Sequence, residues 1–470
     1  MRIPFDLIAA VLCLEGMGRY LATNTAPAEV AAVRPGVAAA AWCAFLLAVW
    51  LMHELVTRRS EWRTRFGQHV AGFGRGPHPM ESHAWGVRIA QAITVLLYTG
   101  LLWALKWPLY AERWPLALGF SAESHIGALP LKESSVIALP LCLAPFLLAM
   151  VASWIPRRRL VAGLRGREVP LLAYLGYEAR LTWLPVILGF ILAVFRDALA
   201  TLPAGYTAWL EAPGVDLLSV IAMIAFISLV GLPMLVVWLW RCKPMPEGEL
   251  KDRLWALVQR SGVKARGIMV WGPRSTGLLN ACVLGGWARY RYVLISPALV
   301  DELSPAETEA VLAHELGHAR HGHLVFLFVM ILCLSALLDP IQRVLPEAWR
   351  ASPLIEIGVL ISFITAYMYL FYGAIMRQCE READLASAEL LGTAVPLIMA
   401  LEKLALITGN IRNVWCWHHG SIAERVAAVN RLSQDPDGSR KFHRRLRLMR
   451  VMFAVFTLVA LGAELCSRLL

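Results

Sequence analysis

His314 and His318 stand four residues apart, with Glu315 directly after the first. On a helix that spacing projects both imidazoles from one face, one turn apart. Two such imidazoles can hold one zinc ion, and the intervening carboxylate can take a proton from the water that the ion activates. The segment also reads as a helix. Ser304 and Glu307 have the spacing of a capping box, Pro305 falls at the first helical position, and Ala310, Val311, Leu312, Ala313 and Leu316 give an apolar run. The same pattern arises by chance in many chains, so the rest of the sequence has to supply what the site lacks.

The chain has 470 residues, 58% of them hydrophobic and 17% charged, with a mean hydropathy of +0.57. Soluble domains average about 45–50% apolar and about 25% charged. This composition is that of a multi-spanning, mainly α-helical membrane protein, with the lipid bilayer as its partner. The net charge of +11 comes largely from arginines beside apolar stretches. The positive-inside rule and anionic lipid account for them, and no nucleic-acid partner is expected. The nine cysteines are scattered without a Cys-x-x-Cys, and Cys13, Cys43, Cys142 and Cys333 lie in apolar runs, so no disulfide framework is expected. The stretch 3–14 is apolar but holds Asp6 and precedes Glu15. It reads as an interfacial helix in preference to a cleaved signal peptide.

Eight stretches read as spans: 36–52, 89–105, 136–155, 181–202, 217–240, 324–338, 354–376 and 451–463. A bilayer core needs about 20 mostly apolar residues, so the second, sixth and eighth must borrow flanking residues. The fourth carries Arg196 and Asp197 near its end, as an ion pair or a helix end at the interface. Basic residues fall in alternate loops: Arg58, Arg59, Arg63, Arg65 and Arg75 after the first span, and Arg157, Arg158, Arg159, Arg165, Arg167 and Arg180 after the third. Arg241 and Lys243 follow the fifth, and Arg444, Arg445, Arg447 and Arg450 follow the seventh, whereas 203–216 has none. With eight spans every basic loop is cytoplasmic, and so is the histidine motif. In a bacterium this would be the inner membrane. The loop 106–135 is too small for a ligand-binding domain. The division expected is an N-terminal membrane region of five spans over 1–240, a metallopeptidase domain over 241–450 that includes the spans 324–338 and 354–376, and a last span in 451–470. Ahead of the motif, 247–260 reads as an amphipathic helix, and 267–271, 279–284 and 289–295 read as strands, with Gly285 and Gly286 making the turn.

Two histidines leave zinc short of a third protein ligand. The sixth span leaves from just after the motif and the seventh returns to Cys379, Glu380, Arg381, Glu382, Ala383 and Asp384. Glu380 and Asp384 share a helix face, so Glu380 can bind zinc while Asp384 accepts from a ligand imidazole. The alternative is a solvated helix start. Glu382 points elsewhere and is the weaker ligand candidate. Arg377 is expected to pair with Glu380 or Asp384, and His321 and His323 are expected at the surface or interface.

With these residues in view, the chain resembles the integral-membrane zinc metallopeptidases of the CAAX prenyl protease and HtpX heat-shock type. That family pairs His-Glu-x-x-His with a downstream Glu-x-x-Ala-Asp. Asn280, Ala281 and Cys282, followed by Gly285, resemble its cleft-lining edge strand. His419 to Arg425 resembles its His-Pro-x-x-x-x-Arg segment, with Gly420 where the family usually has proline. The likeness covers roughly 245–432, and the first five spans match no motif. It implies a small α+β, gluzincin-like catalytic lobe on the cytoplasmic face and one zinc per chain held by His314, His318 and Glu380, with Asp384 behind them. It further implies Glu315 as general base, His419 or Arg425 at the oxyanion, and substrate binding along Asn280, Ala281 and Cys282. The function implied is an endopeptidase acting on membrane-associated, misfolded or lipidated proteins or peptides. Alternatives are an intramembrane metalloprotease, a sensor-type protease, or a non-enzymatic scaffold with a relic site. The retained Glu315 argues against the scaffold, because a structural metal would not need that base.

Overall fold

The computed structural model describes residues 34–67, 79–117, 133–165, 168–184, 231–272 and 279–469, with a few isolated positions between 187 and 226. The stretch 3–14, most of the fourth expected span with Arg196 and Asp197, much of the fifth, and the loop 203–216 apart from one position lie outside the described residues. The chain forms two compact units, Met1–Leu210 with Pro346–Ile361, and Glu211–Leu345 with Ser362–Leu470.

In the first unit, α1 (Pro35–Gly67), α2 (Pro79–Ala104), α3 (Trp107–Ala117), α4 (Glu133–Arg165) and α5 (Leu171–Thr182) surround an aromatic core. Trp42, Phe45, Tyr98, Trp107 and Phe146 form that core, and the Tyr98 hydroxyl donates to the Cys142 carbonyl at 3.0 Å. At the ends of α1 and α4, Glu54 accepts from Arg58 at 2.6 Å and from Arg159 at 2.5 Å. Arg58, Arg59, Arg157, Arg158 and Arg159 therefore sit on the later turns of the long helices α1 and α4, where loops were expected. Continuing the helix keeps its backbone paired while the long basic side chains reach the interface.

The second unit begins with α6 (Leu232–Leu239) and holds a four-stranded sheet: β1 (Lys243–Pro244), β2 (Gly267–Val270), β3 (Ala281–Leu284) and β4 (Tyr292–Ile295), ordered β1-β2-β4-β3. The amphipathic helix α7 (Glu249–Arg260) buries Leu254, Leu257 and Val258 beneath it. β2 and β4 are parallel, and β3 runs antiparallel to β4 with Ala281 opposite Ile295. The strand expected from 289 starts only at Tyr292, because the turn is longer than Gly285 and Gly286. Gly285 has φ +106, Ala288–Tyr290 is a 3₁₀ turn, and the Arg291 guanidinium caps the Gly285 and Gly286 carbonyls at 3.0 and 2.7 Å.

The helices that follow are α8 (Pro297–Glu302), α9 (Pro305–Arg320), α10 (His323–Val344), α11 (Glu347–Arg350), α12 (Pro353–Ala366), α13 (Gly373–Leu391), α14 (Val395–Ile407), α15 (Ile422–Ser433) and α16 (Pro436–Leu469), with α11 and α12 as far as Ile361 in the first unit. A π-helical turn, Tyr367–Tyr372, joins α12 to α13. Among the described residues six helical stretches are long and apolar enough to cross a membrane: Pro35–Trp62, Trp85–Ala104, Pro140–Gly163, His323–Val344, Ile355–Leu391 and Pro436–Ser467. Here too Arg444, Arg445, Arg447 and Arg450 lie on a helix continuous with its span.

Candidate metal centre

The motif helix α9 opens with the capping box read from the sequence. The Ser304 N–H donates to Glu307 Oε2 at 2.7 Å, and the Glu307 N–H donates to Ser304 Oγ at 3.3 Å. One face of α9, through Ala310, Leu312, Ala313 and Leu316, is fully buried. Gly317 faces α13, and a β-carbon there would stand 3.0 Å from Ala386 Cβ and 3.1 Å from Ala383 Cα. Glycine thus lets the two backbones approach closely enough for side chains from both to meet.

They meet at His314, His318 and Glu380. The two Nε2 atoms are 3.2 Å apart, and they lie 3.6 and 3.5 Å from the Glu380 carboxylate oxygens. Ligand atoms bound to zinc at about 2.0–2.1 Å in a tetrahedron stand roughly 3.3–3.4 Å from one another. These three side chains therefore fit one zinc ion.

The surroundings fix the tautomers. His314 Nδ1 lies 2.9 Å from Asp384 Oδ1, so its proton sits on that side and the Nε2 lone pair faces the centre. His323 Nε2 lies 2.7 Å from Glu382 Oε2 and its Nδ1 lies 2.8 Å from His318 Nδ1. Glu382 can only accept, so His323 donates to it through Nε2 and accepts from His318 through Nδ1. This turns the His318 Nε2 lone pair toward the centre as well. Burial lowers the pKa of His318 well below its usual value, which keeps it a neutral donor atom. Burial opposes protonation of His314 too, but Asp384 outweighs it and raises that pKa.

His323 is 1% exposed, which overturns the surface role expected for it. Gly322, at φ +67, reverses the chain after α9 and tucks His323 behind His318. His321 also faces Glu382, at 3.4 Å. Only this turn, invisible in the spacing, makes these residues and Glu382 part of the centre's support. The expected role of Arg377 fails as well. It donates to the Trp417 carbonyl and lies over the Trp415 ring, while Arg425 takes the carboxylates. The Arg425 Nε and Nη2 donate to Asp384 at 2.9 and 2.6 Å, and its Nη1 is 3.3 Å from Glu380.

His419 Nδ1 lies 3.0 Å from Glu380 Oε1, and the ring is 38% exposed. Its loop is seated by Gly373, where a β-carbon would meet Trp417 at 2.9 Å. Gly420 has φ +75, and its N–H donates to the Cys416 carbonyl at 2.8 Å. Proline can do neither, which explains the departure from the family pattern. The His418 ring lies between those of Trp417 and His419, tilted by 55° and 50° to them.

Glu315 is held high, at a pKa of about 7, by burial first and then by the Glu380 charge, with His314 opposing. Burial, with the Glu315 charge adding to it, likewise raises the Cys282 thiol. Cys282 belongs to β3, whose other edge is paired by no strand among the described residues. Asn280 pairs with Ser296, its N–H donating to the Ser296 hydroxyl at 3.0 Å and its carbonyl accepting from the Ser296 N–H at 2.9 Å. By alternation Cys282 also points its backbone into the sheet, and the outward N–H and C=O groups belong to Ala281 and Val283.

Residues 244–433 match peptidase family M48. The protease HtpX homologue of Acidovorax ebreus is 23% identical over 272 residues, covering 48% of this chain and 89% of its own length. That of Leptothrix cholodnii is 27% identical over 231 residues, covering 43% and 76%, and that of Bordetella pertussis 25% over 236 residues, covering 43% and 76%. The crystal structure of S. mikatae Ste24p aligns over 91% of this chain and 99% of its own, with a TM-score of 0.49 and 18% identity. Residues 244–433 thus resemble peptidase family M48, and the chain is similar to proteins named as protease HtpX homologues.

Proposed function

We propose that the chain is a zinc-dependent membrane endopeptidase that hydrolyses peptide bonds of membrane-associated or misfolded proteins at the cytoplasmic face. The observation that carries this reading is the convergence of His314, His318 and Glu380 at ligand-to-ligand separations of 3.2–3.6 Å beside the buried Glu315. Bound zinc supplies a Lewis acid that polarises the scissile carbonyl and makes water a nucleophile near neutral pH. Glu315 takes the proton from the attacking water and passes it to the leaving amine, and its burial makes the carboxylate a stronger base for the first transfer. The substrate adds as a strand along β3, paired by the backbone of Ala281 and Val283, with Asn280 and Cys282 presenting side chains. His419, more exposed than Arg425, steadies the developing oxyanion. Arg425 positions Glu380 and Asp384 with the whole of its fork.

The peptidase region extends over 241–450, with the first 240 residues as a separate membrane region. The test is Glu315→Gln, which is expected to retain zinc and lose cleavage of a casein-like or membrane substrate by at least about 100-fold. Full proteolysis by this variant would refute the assignment. Retention of the parent's full zinc content by Glu380→Ala would place the third ligand elsewhere.

A further inference from the structure

The opposite face of α13 carries a second constellation. Glu382 and Glu389 are seven residues apart, two turns along one stripe. Glu382 Oε1 lies 2.9 Å from His443 Nδ1 on α16 and 3.4 Å from His321 Nδ1 at the end of α9. These three ligand atoms lie within 4.8 Å of one another. Glu382 is 3% exposed, and the two histidine side chains are 22% and 20% exposed, so the carboxylate is anchored while the imidazoles can be reached from solvent.

The inventory matches that of the first centre. There, two imidazoles and Glu380 are backed by Asp384 on one imidazole and by Arg425 on the carboxylate. Here, two imidazoles and Glu382 are backed by Glu389, 3.5 Å from His443 Nε2, and by Arg450 on Glu382 Oε2. Both sets therefore sum to one negative charge with neutral imidazoles, so the arginine does not bar a cation from the second set any more than from the first. Glu389 orients His443 with Nδ1 toward Glu382, as outer carboxylates do for metal-bound histidines. Arg450 also donates from Nη1 to the His321 carbonyl at 3.0 Å, which fixes the backbone of the remaining member.

We propose that His321, Glu382 and His443 form a second binding site for a divalent transition metal of the zinc type. Two nitrogens and one oxygen suit zinc over magnesium or calcium, which prefer all-oxygen sets. The site shares no ligand with His314, His318 and Glu380, and the inference does not depend on proteolysis.

The experiment is a metal count on the full-length protein in detergent, dialysed against micromolar zinc, with thermal unfolding recorded for every variant. The parent is expected to hold about two ions per chain, and His443→Gln and Glu380→Ala about one each. The ion left in His443→Gln should be the one that Glu380→Ala removes, so the double variant holds none. His321→Gln gives the same readout should His443→Gln fail to fold. With cobalt in place of zinc, the visible absorption of the second equivalent should vanish in His443→Gln while the first persists. A parent that binds one ion, unchanged in His443→Gln and lost in Glu380→Ala, would overturn the proposal and leave His443 as an ion-pair partner of Glu382 and Glu389. That result would leave the first centre intact, whereas metal retained in full by Glu380→Ala would fault the first centre alone.

Discussion

Gly317 shows how much of the centre rests on a missing side chain. Any β-carbon there meets Ala386 Cβ at 3.0 Å and the Ala383 backbone at 3.1 and 3.2 Å. The backbone of a packed helix cannot yield, so α9 and α13 must part. Gly317→Val is expected to destabilise the protein by about 1–3 kcal/mol and to weaken zinc binding, read by chelator competition and thermal unfolding. Unchanged affinity and melting temperature would show that the close approach is not needed. Gly420 gives the converse case. Substituting the proline usual in the family should harm this chain, because φ +75 and the N–H to Cys416 are both closed to proline. Gly420→Pro should lose more than about 1 kcal/mol and should slow cleavage by displacing His419. A variant as stable and active as the parent would count against the turn described. The meeting of His314 and His318 with Glu380 and Asp384 was legible because helical period pairs each two on one face and the order of the spans, with the family resemblance, joins the pairs; the roles of these four, and of Glu315, stay proposals. His323 and Glu382 were not legible, because their roles arise from the reversal at Gly322, which no spacing encodes.

Among the elements, α9 is the one whose start the sequence states outright, through Ser304, Pro305 and Glu307. Burial by itself would raise the Glu307 pKa, but the Ser304 N–H and hydroxyl, with Lys403 at 3.5 Å, hold it below its usual value. A carboxylate depressed in the folded state stabilises fully above its unfolded pKa and ceases to as pH falls through the folded one. Glu307→Gln should therefore cost about 0.5–2 kcal/mol at neutral pH, and the gap from the parent should close in acid. Denaturant melts at pH 7 and below pH 4 would measure it; a gap that widens in acid would contradict the sign. The strands were legible in place but not in length, since the Arg291 cap on Gly285 and Gly286 takes 289–291 into the turn. β3 makes its own prediction. Its outward amides are those of Ala281 and Val283, so Val283→Pro removes a hydrogen bond to a substrate strand without touching β4. Its expected mark is a higher KM for long peptides with metal content unchanged, and an unaltered KM would remove β3 from the substrate path.

For the whole molecule, contacts within the second unit fix which helix ends share a level. His323 at the start of one candidate span touches Glu382 near the end of the next, and His443 and Arg450 near the start of the last touch the same carboxylate. The hairpin inferred from sequence order is thereby closed by side chains. The side of the bilayer proposed for this level rests on charge. Arg320, Arg377, Arg381, Arg444, Arg445 and Arg447 lie on the helix ends at this level, while the far end of α10 carries Arg343. Retention of positive charge on the cytoplasmic side is the reason for proposing that the centre faces the inside of the cell. The check uses two exposed positions, Trp349 on α11, which follows α10, and Arg440 at the start of α16. In a background lacking the exposed Cys43 and Cys466, Trp349→Cys should react with a membrane-impermeant maleimide in intact cells, and Arg440→Cys only after permeabilisation. The reverse pattern would put the peptidase domain on the outer face and its substrates with it.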